Sequence, residues 1–210
     1  MNGADLIQGS DQWLLARCGS LGASKVRDAF ATLKKGERAK ASEDLMYEIA
    51  AERITRIPAR RVNALQWGSD HEAEARQAYS FLTNAPVAEV GLIPHPTIAN
   101  AHASPDALVG EDGGLEVKCP TSATHLRTLL GDDVPEEHLP QIYWSMACTG
   151  RAWWDFMSFD PRFPEGMQFF IRRVERHQKI IESMEANARA FLAELEDKLK
   201  ALEERYPVEA

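Results

Sequence analysis

The chain is poor in cysteine, has no long apolar run and carries no excess of positive charge. Its three cysteines, Cys18, Cys119 and Cys148, stand far apart with no CxxC spacing. That excludes a disulfide framework, a zinc knuckle and a four-cysteine iron–sulfur cluster, and they read as buried thiols. No stretch approaches the ~18 consecutive apolar residues of a membrane span, and "MNGADLIQGSDQW" lacks the basic start and apolar run of a secretory leader. The expectation is a cytoplasmic protein with no membrane association. A net charge of −8 argues against coating nucleic acid over the whole surface. Local contact stays open, because basic residues gather in the first third: Lys25, Arg27, Lys34, Lys35, Arg38 and Lys40, then Arg53, Arg56, Arg60 and Arg61.

What is present is an ordinary globular composition of 210 residues, 44% apolar and 27% charged, enough for one sizeable core. One domain is expected over 1–210, with N-terminal helices in 1–84, a sheet core in 85–174 and a C-terminal helix in 175–205. Leu45, Met46, Ile49 and Ala50 recur at helical spacing behind Ser42, a candidate N-cap, which predicts a helix from Ser42 to Thr55. A second helix is expected over about 64–82. The period then changes. "VAEVGLI" (87–93), "IANAHAS" (98–104), "SPDALVGEDGGLEVKCP" (104–120), "AWWDFMSF" (152–159) and "MQFFIRRV" (167–174) are short, rich in β-formers and bounded by Pro, Gly or Asn. "GDDVPEEH" reads as a loop and "LPQIYWSMACT" as a helix crossing back to the sheet. Ile181, Met184, Ala188, Phe191, Leu195, Leu199 and Leu202 alternate by three and four, giving a long amphipathic terminal helix that covers the sheet or meets another subunit. The expected class is α/β, a central mixed sheet flanked by helices.

The segment 104–120 concentrates the chemistry. "EDGG" is turn material, since Asp-Gly and Gly-Gly tolerate the positive φ of tight hairpins. Glu116 and Lys118 are two apart and share a strand face, while Val117 points to the other. With Gly110 opposite Gly114, Asp106 falls opposite Lys118 on that same face. Two carboxylates beside an ammonium suit either a surface hairpin with exposed ion pairs or a hard-oxygen site for Mg²⁺, which can activate water and neutralise a phosphodiester. On the preceding helix, Gly68, Glu72, Ala75 and Tyr79 follow four, three and four spacing. That places Glu72 on the inward stripe, where a carboxylate needs a cation or an arginine partner.

The set of motifs resembles a known family. "SPDALVGEDGGLEVKCP" resembles the core of the PD-(D/E)XK nuclease superfamily. "WLLARCGSLGASKV", "WGSDHEAEAR", "QIYWSM" and "FDPR", in that order, resemble the phage lambda exonuclease (YqaJ-type viral recombinase) family from Trp13 to about Arg162. The resemblance implies a restriction-endonuclease-like core. It implies that Asp106, Glu116, the Val117 carbonyl and Glu72 bind one or two Mg²⁺, with Mn²⁺ as a substitute, and that Lys118 positions or activates the attacking water. Arg17 and Ser24 match residues that bind a 5′-terminal phosphate. Gln141 falls on the crossover-helix glutamine motif, but relatives carry Q-x-Q where this chain has Gln141-Ile142-Tyr143, so either Gln141 or Tyr143 takes that place. The family's PDG is PDA here, and Ala107 is compatible if its φ is negative. Members of the family are 5′-to-3′ exonucleases that digest one strand of linear duplex DNA to 5′ mononucleotides. They assemble as homotrimeric rings and hand the 3′ overhang to a single-strand annealing protein. A ring would put basic residues in a central channel and acidic ones outside. Rival readings are an endonuclease of the same superfamily and a non-catalytic DNA-end-binding protein.

Overall fold

The structure is a computed structural model that describes residues 3–59 and 66–207. Its elements run α1 (Asp11–Arg17), β1 (Leu21–Gly22), α2 (Val26–Ala29), α3 (Lys40–Thr55), α4 (Gln66–Thr83), β2 (Val87–Ala88), β3 (Ile93–Pro94) and β4 (Ala101–Ala103). They continue with β5 (Ala107–Val109), β6 (Gly113–Lys118), α5 (Ser122–Gly131), α6 (Leu139–Thr149), β7 (Trp153–Phe159), β8 (Phe169–Glu175) and α7 (Gln178–Arg205). The fold is α/β with mixed sheets and a long C-terminal helix. The five-stranded sheet has the order β2-β5-β6-β7-β8 and the three-stranded one β1-β4-β3. β6 and β7 are parallel. A parallel pair cannot be joined by a tight turn, so the chain between them crosses over through α5 and α6.

Alternation along β6 divides the interior in two. Leu115 and Val117 pack with Ala75 and Tyr79 of α4 and with Met157 and Phe159 of β7. On the other side Trp154 and Phe156 join Ile142 and Trp144 of α6 and Ile181, Ala188 and Leu195 of α7. Every terminal-helix position picked out by spacing through Leu195 is buried, while Leu199 packs at the margin and Leu202 is exposed. Asp155 points into the α4 side and is buried, but its charge is matched. Tyr79 donates to it at 2.6 Å and Arg173 donates twice, at 2.8 and 2.9 Å.

Several local expectations are corrected. The strand expected over 87–93 is two strands in different sheets. Between them Gly91 donates to the Ala4 carbonyl and Leu92 to the Gly3 carbonyl, both at 2.9 Å, so N-terminal backbone takes the bonds a sheet would have used. A Cβ on Gly91 would lie 2.2 Å from the Leu6 oxygen. Ser42 is not an N-cap: Ala39 holds that place without a side-chain bond, and Ser42 is buried inside α3, donating to the Ala29 carbonyl at 2.6 Å. Gly113 and Gly114 are strand residues rather than turn residues. They are in register with Trp153 and Trp154, whose rings occupy the space a Cβ would need, at 2.1 and 2.2 Å. α5 was not read from the sequence, and β8 runs to Glu175, so α7 begins at Gln178. Cys119 and Cys148 are buried thiols, but Cys18 is only half-buried and donates to the Glu52 carbonyl. Residues 64 and 65 of the second expected helix lie outside the described residues, as do Arg60 and Arg61.

His102 on β4 is 3% exposed, and its Nδ1 lies 2.8 Å from the Ser20 hydroxyl. Burial, assisted by Arg17, pushes its pKa down to about 3. An unfolded histidine titrates near 6.5, so this group's contribution is fully present above that pH and is lost as pH falls towards 3. His102→Gln is expected to flatten stability against pH over that window in denaturant titrations. Gly114→Ala is expected to lower stability by about 1–3 kcal/mol through overpacking against Trp154. Tyr79→Phe is expected to lower it by about 1–2 kcal/mol by leaving Asp155 short of a donor. Unchanged denaturation midpoints would contradict both.

Candidate active site

The β5–β6 hairpin is set by a turn at Gly110, φ 52°, and by Arg151. Arg151 donates to the carbonyls of Val109, Gly110 and Gly113 at 3.2, 2.9 and 2.6 Å. Val109 therefore pairs with Gly113 and Ala107 with Leu115. One step further brings Asp106 level with Glu116, a correction of two residues to the expected pairing with Lys118. A shift of two keeps the strand face, so the carboxylates still converge. Ala107 has negative φ, as PDA in place of PDG requires.

Asp106 Oδ2 accepts from the Val117 amide at 2.6 Å. The Lys118 ammonium donates to Glu116 Oε1, and the Gln141 amide donates to the same oxygen at 2.6 Å. Glu116 is fully buried, and its second oxygen, Oε2, has no hydrogen-bond partner among the described residues. Burial pushes the Glu116 pKa up to about 7, Lys118 opposes this, and Asp106 and Glu72 add to it. Asp106 is raised by burial against the pull of Lys118. Glu72 is raised by burial and then by Asp106, with Lys118 and Arg76 opposing. Burial alone would lower Lys118, but the three carboxyl groups outweigh it and hold the ammonium above its ordinary value.

Three carboxyl groups thus crowd the half-buried Lys118, with Arg76 acting on two of them, and destabilise one another's ionised forms. Hard oxygen donors, surplus negative charge and an orphaned Glu116 oxygen fit a divalent ion such as Mg²⁺. Among the described residues no three His, Cys, Asp or Glu side chains stand close enough to ligate an ion by themselves.

Beside Lys118 opens a cavity of about 360 Å³, also lined by Ser24, Arg27, His138 and Gln141. Ser24 sits in a 3-10 turn, Ala23–Lys25, that follows β1 directly. Arg17 lies over the Trp13 ring at 4.0 Å and close to Gly22, two residues before Ser24. Gln141 and Tyr143 are two apart on α6, about 200° around the helix, so they cannot face the same way. Gln141 reaches Glu116, whereas Tyr143 packs against the main core and does not line the cavity.

Two groups escaped the sequence reading. The Ser104 hydroxyl, two residues before Asp106, is buried without a hydrogen-bond partner among the described residues, and only its proximity to that carboxylate could have flagged it. His138 sat in a segment read as a loop. Conversely, Asp160 of "FDPR" serves the fold: it is buried, accepts from Arg162 at 2.7 and 2.8 Å, and those bonds pull its pKa down to about 2. The basic first third is also partly neutralised, because Lys25, Arg38 and Arg53 pair with Glu48, Glu194 and Glu196.

Residues 12–152 match the model of the YqaJ-like viral recombinase domain. The structure is similar to an alkaline exonuclease, LHK-Exo, from Laribacter hongkongensis, at 41% identity and a TM-score of 0.87, covering 93% of this chain and 97% of that one. A complex of LHK-Exo with dAMP matches at 40% identity and a TM-score of 0.88, with the same coverage. A phage-related exonuclease from Haemophilus somnus shares the fold at 12% identity and a TM-score of 0.66, covering 87% of this chain and 96% of that one. No curated protein gives a significant match. With two thirds of its length on the family model and a relative at this identity over nearly the whole chain, the protein belongs to the YqaJ-like viral recombinase family.

Proposed function

We propose that the protein is a metal-dependent nuclease that digests one strand of linear duplex DNA from the 5′ end. The products are 5′ mononucleotides and a 3′ single-stranded overhang for annealing. The observation that carries this reading is the buried Glu116, held through one oxygen by Lys118 and Gln141 while the other has no hydrogen-bond partner among the described residues. Family membership and the identity to an alkaline exonuclease support hydrolysis of DNA over a purely structural use of the cluster.

Asp106, Glu116 and the Val117 carbonyl, helped by Glu72, would hold one or two Mg²⁺, for which Mn²⁺ substitutes. When bound, the ion neutralises the phosphodiester and lowers the pKa of water. Lys118 orients the attacking water and offsets charge growing on the phosphate. Gln141 fixes the rotamer of Glu116, and the Val117 amide fixes that of Asp106. The guanidinium of Arg17 and the hydroxyl of Ser24 receive the 5′-terminal phosphate, a match of donors to a doubly charged end. Tyr143 is half-buried against the core and does not line the cavity, so the crossover-helix role falls to Gln141. A homotrimeric ring around the DNA and a single-strand annealing partner complete the proposal. With Lys25, Arg38 and Arg53 already paired, Arg27, Lys34, Lys35, Lys40 and Arg56 are the described basic residues left to line a channel. Among the described residues no helix is long and apolar enough to cross a membrane.

End-labelled linear duplex is expected to be digested only with Mg²⁺ or Mn²⁺, releasing labelled mononucleotide early from a 5′ label and late from a 3′ label. Degradation of covalently closed circles would favour an endonuclease instead. Asp106→Ala is expected to reduce cleavage by about 100-fold or more while sparing DNA binding. Bound but uncut DNA with the unsubstituted protein would favour the end-binding reading. Arg17→Ala is expected to slow digestion of 5′-phosphorylated ends by about 10-fold or more and that of 5′-hydroxyl ends far less. Equal losses on both ends would remove the phosphate pocket. A protein that sediments only as a monomer would remove the ring.

A further inference from the structure

The cavity beside Lys118 holds one group with no task so far. His138 closes the 3-10 turn Glu136–His138 and directly precedes α6. Its ring stacks on Phe156, with centroids 5.1 Å and planes 20° apart. Phe156 is 1% exposed and stands in register with Glu116 on the neighbouring parallel strand. The core therefore fixes one face of the imidazole one strand along from the carboxylate. Among the described residues neither ring nitrogen makes a hydrogen bond, and neither is sealed from solvent.

The surroundings say what such a group can take. Ser24, Arg27, Lys118 and Gln141 supply donors around the same cavity, against the carboxylates of Asp28 and Glu137. A cavity so lined suits a phosphate group. Burial, then Lys118, hold the His138 pKa down to about 4; Glu137 opposes this and Arg27 adds to it. Near neutral pH the ring is therefore uncharged, with one N–H donor and one acceptor.

We propose that His138 is a substrate-binding residue whose imidazole N–H donates to a nonbridging phosphate oxygen of the DNA strand lying in the cavity. The proposal rests on the nuclease reading and deepens it. A neutral donor adds affinity without neutralising a phosphate charge, so it displaces no counterion. That distinguishes His138 from Arg27 and Lys118, whose contacts to phosphate would each steepen the salt dependence.

The test is binding of a fluorescent 5′-phosphorylated linear duplex, without divalent metal and over a range of salt, alongside steady-state digestion with Mg²⁺ and thermal melting. His138→Phe keeps the stack on Phe156 and removes the donor; His138→Gln keeps an N–H donor. His138→Phe is expected to bind about 3- to 10-fold more weakly with an unchanged salt slope, raised KM, near-normal kcat and an unchanged melting temperature. His138→Gln is expected to recover part of the affinity. Wild-type affinity in His138→Phe overturns the proposal. A salt slope shallower by about 0.9 overturns it in favour of a charged contact. A lowered melting temperature with no recovery in His138→Gln assigns the ring to packing and also overturns it. Failure of the unsubstituted protein to digest linear DNA would instead sink the nuclease reading.

Discussion

The buried carboxylate of Glu116 is the constraint on which the rest of the molecule depends. A carboxylate sealed from water is stable only when its partners are held in place. Each partner comes from a different element: Lys118 from the same strand, Gln141 from the crossover helix, and Asp106 and Glu72 from the hairpin's other limb and from α4. The parallel β6–β7 pair, the crossover through α6 and the packing of α4 beneath Leu115 and Val117 are the scaffolding that brings these groups together. Their mutual repulsion remains, with all three carboxyl groups raised towards the protonated form. The site is therefore strained in charge though satisfied in packing, a condition typical of positions kept for chemistry rather than stability.

Close packing explains why the hairpin has the residues it has. Tryptophans at 153 and 154 need their register partners on β6 to be without side chains, and Gly113 and Gly114 meet that need. The actual turn is a single left-handed Gly110 under the three-pronged clamp of Arg151. An arginine placed forty residues away thus sets the level at which Asp106 meets Glu116.

Much of this was legible in the residues. Helical spacing found α3, α4 and α7, β-former runs found the central strands, and alternation put Glu116 and Lys118 on one face because strand geometry leaves no other choice. What was illegible depended on distant partners. The break in 87–93 follows from bonds to Ala4 and Gly3, the buried place of Ser42 from the Ala29 carbonyl, and the roles of Gly113 and Gly114 from two tryptophans on another strand. None of these is encoded within a local window. That Gln141 rather than Tyr143 reaches Glu116 follows from the rotation of α6, which only the packed helix supplies.

The parallel pairing of β6 with β7 also governs when the site can exist. The hairpin carrying Asp106, Glu116 and Lys118 is complete well before α6, and β7 must then close against β6 across the intervening crossover. Such long-range closure comes late, because loop entropy is lost before the contacts return it. During synthesis the hairpin emerges without Gln141 to orient its glutamate and without Phe156 to seat the wall of the cavity. The order of the strands thus completes the site only after β7 has been made and has paired with β6.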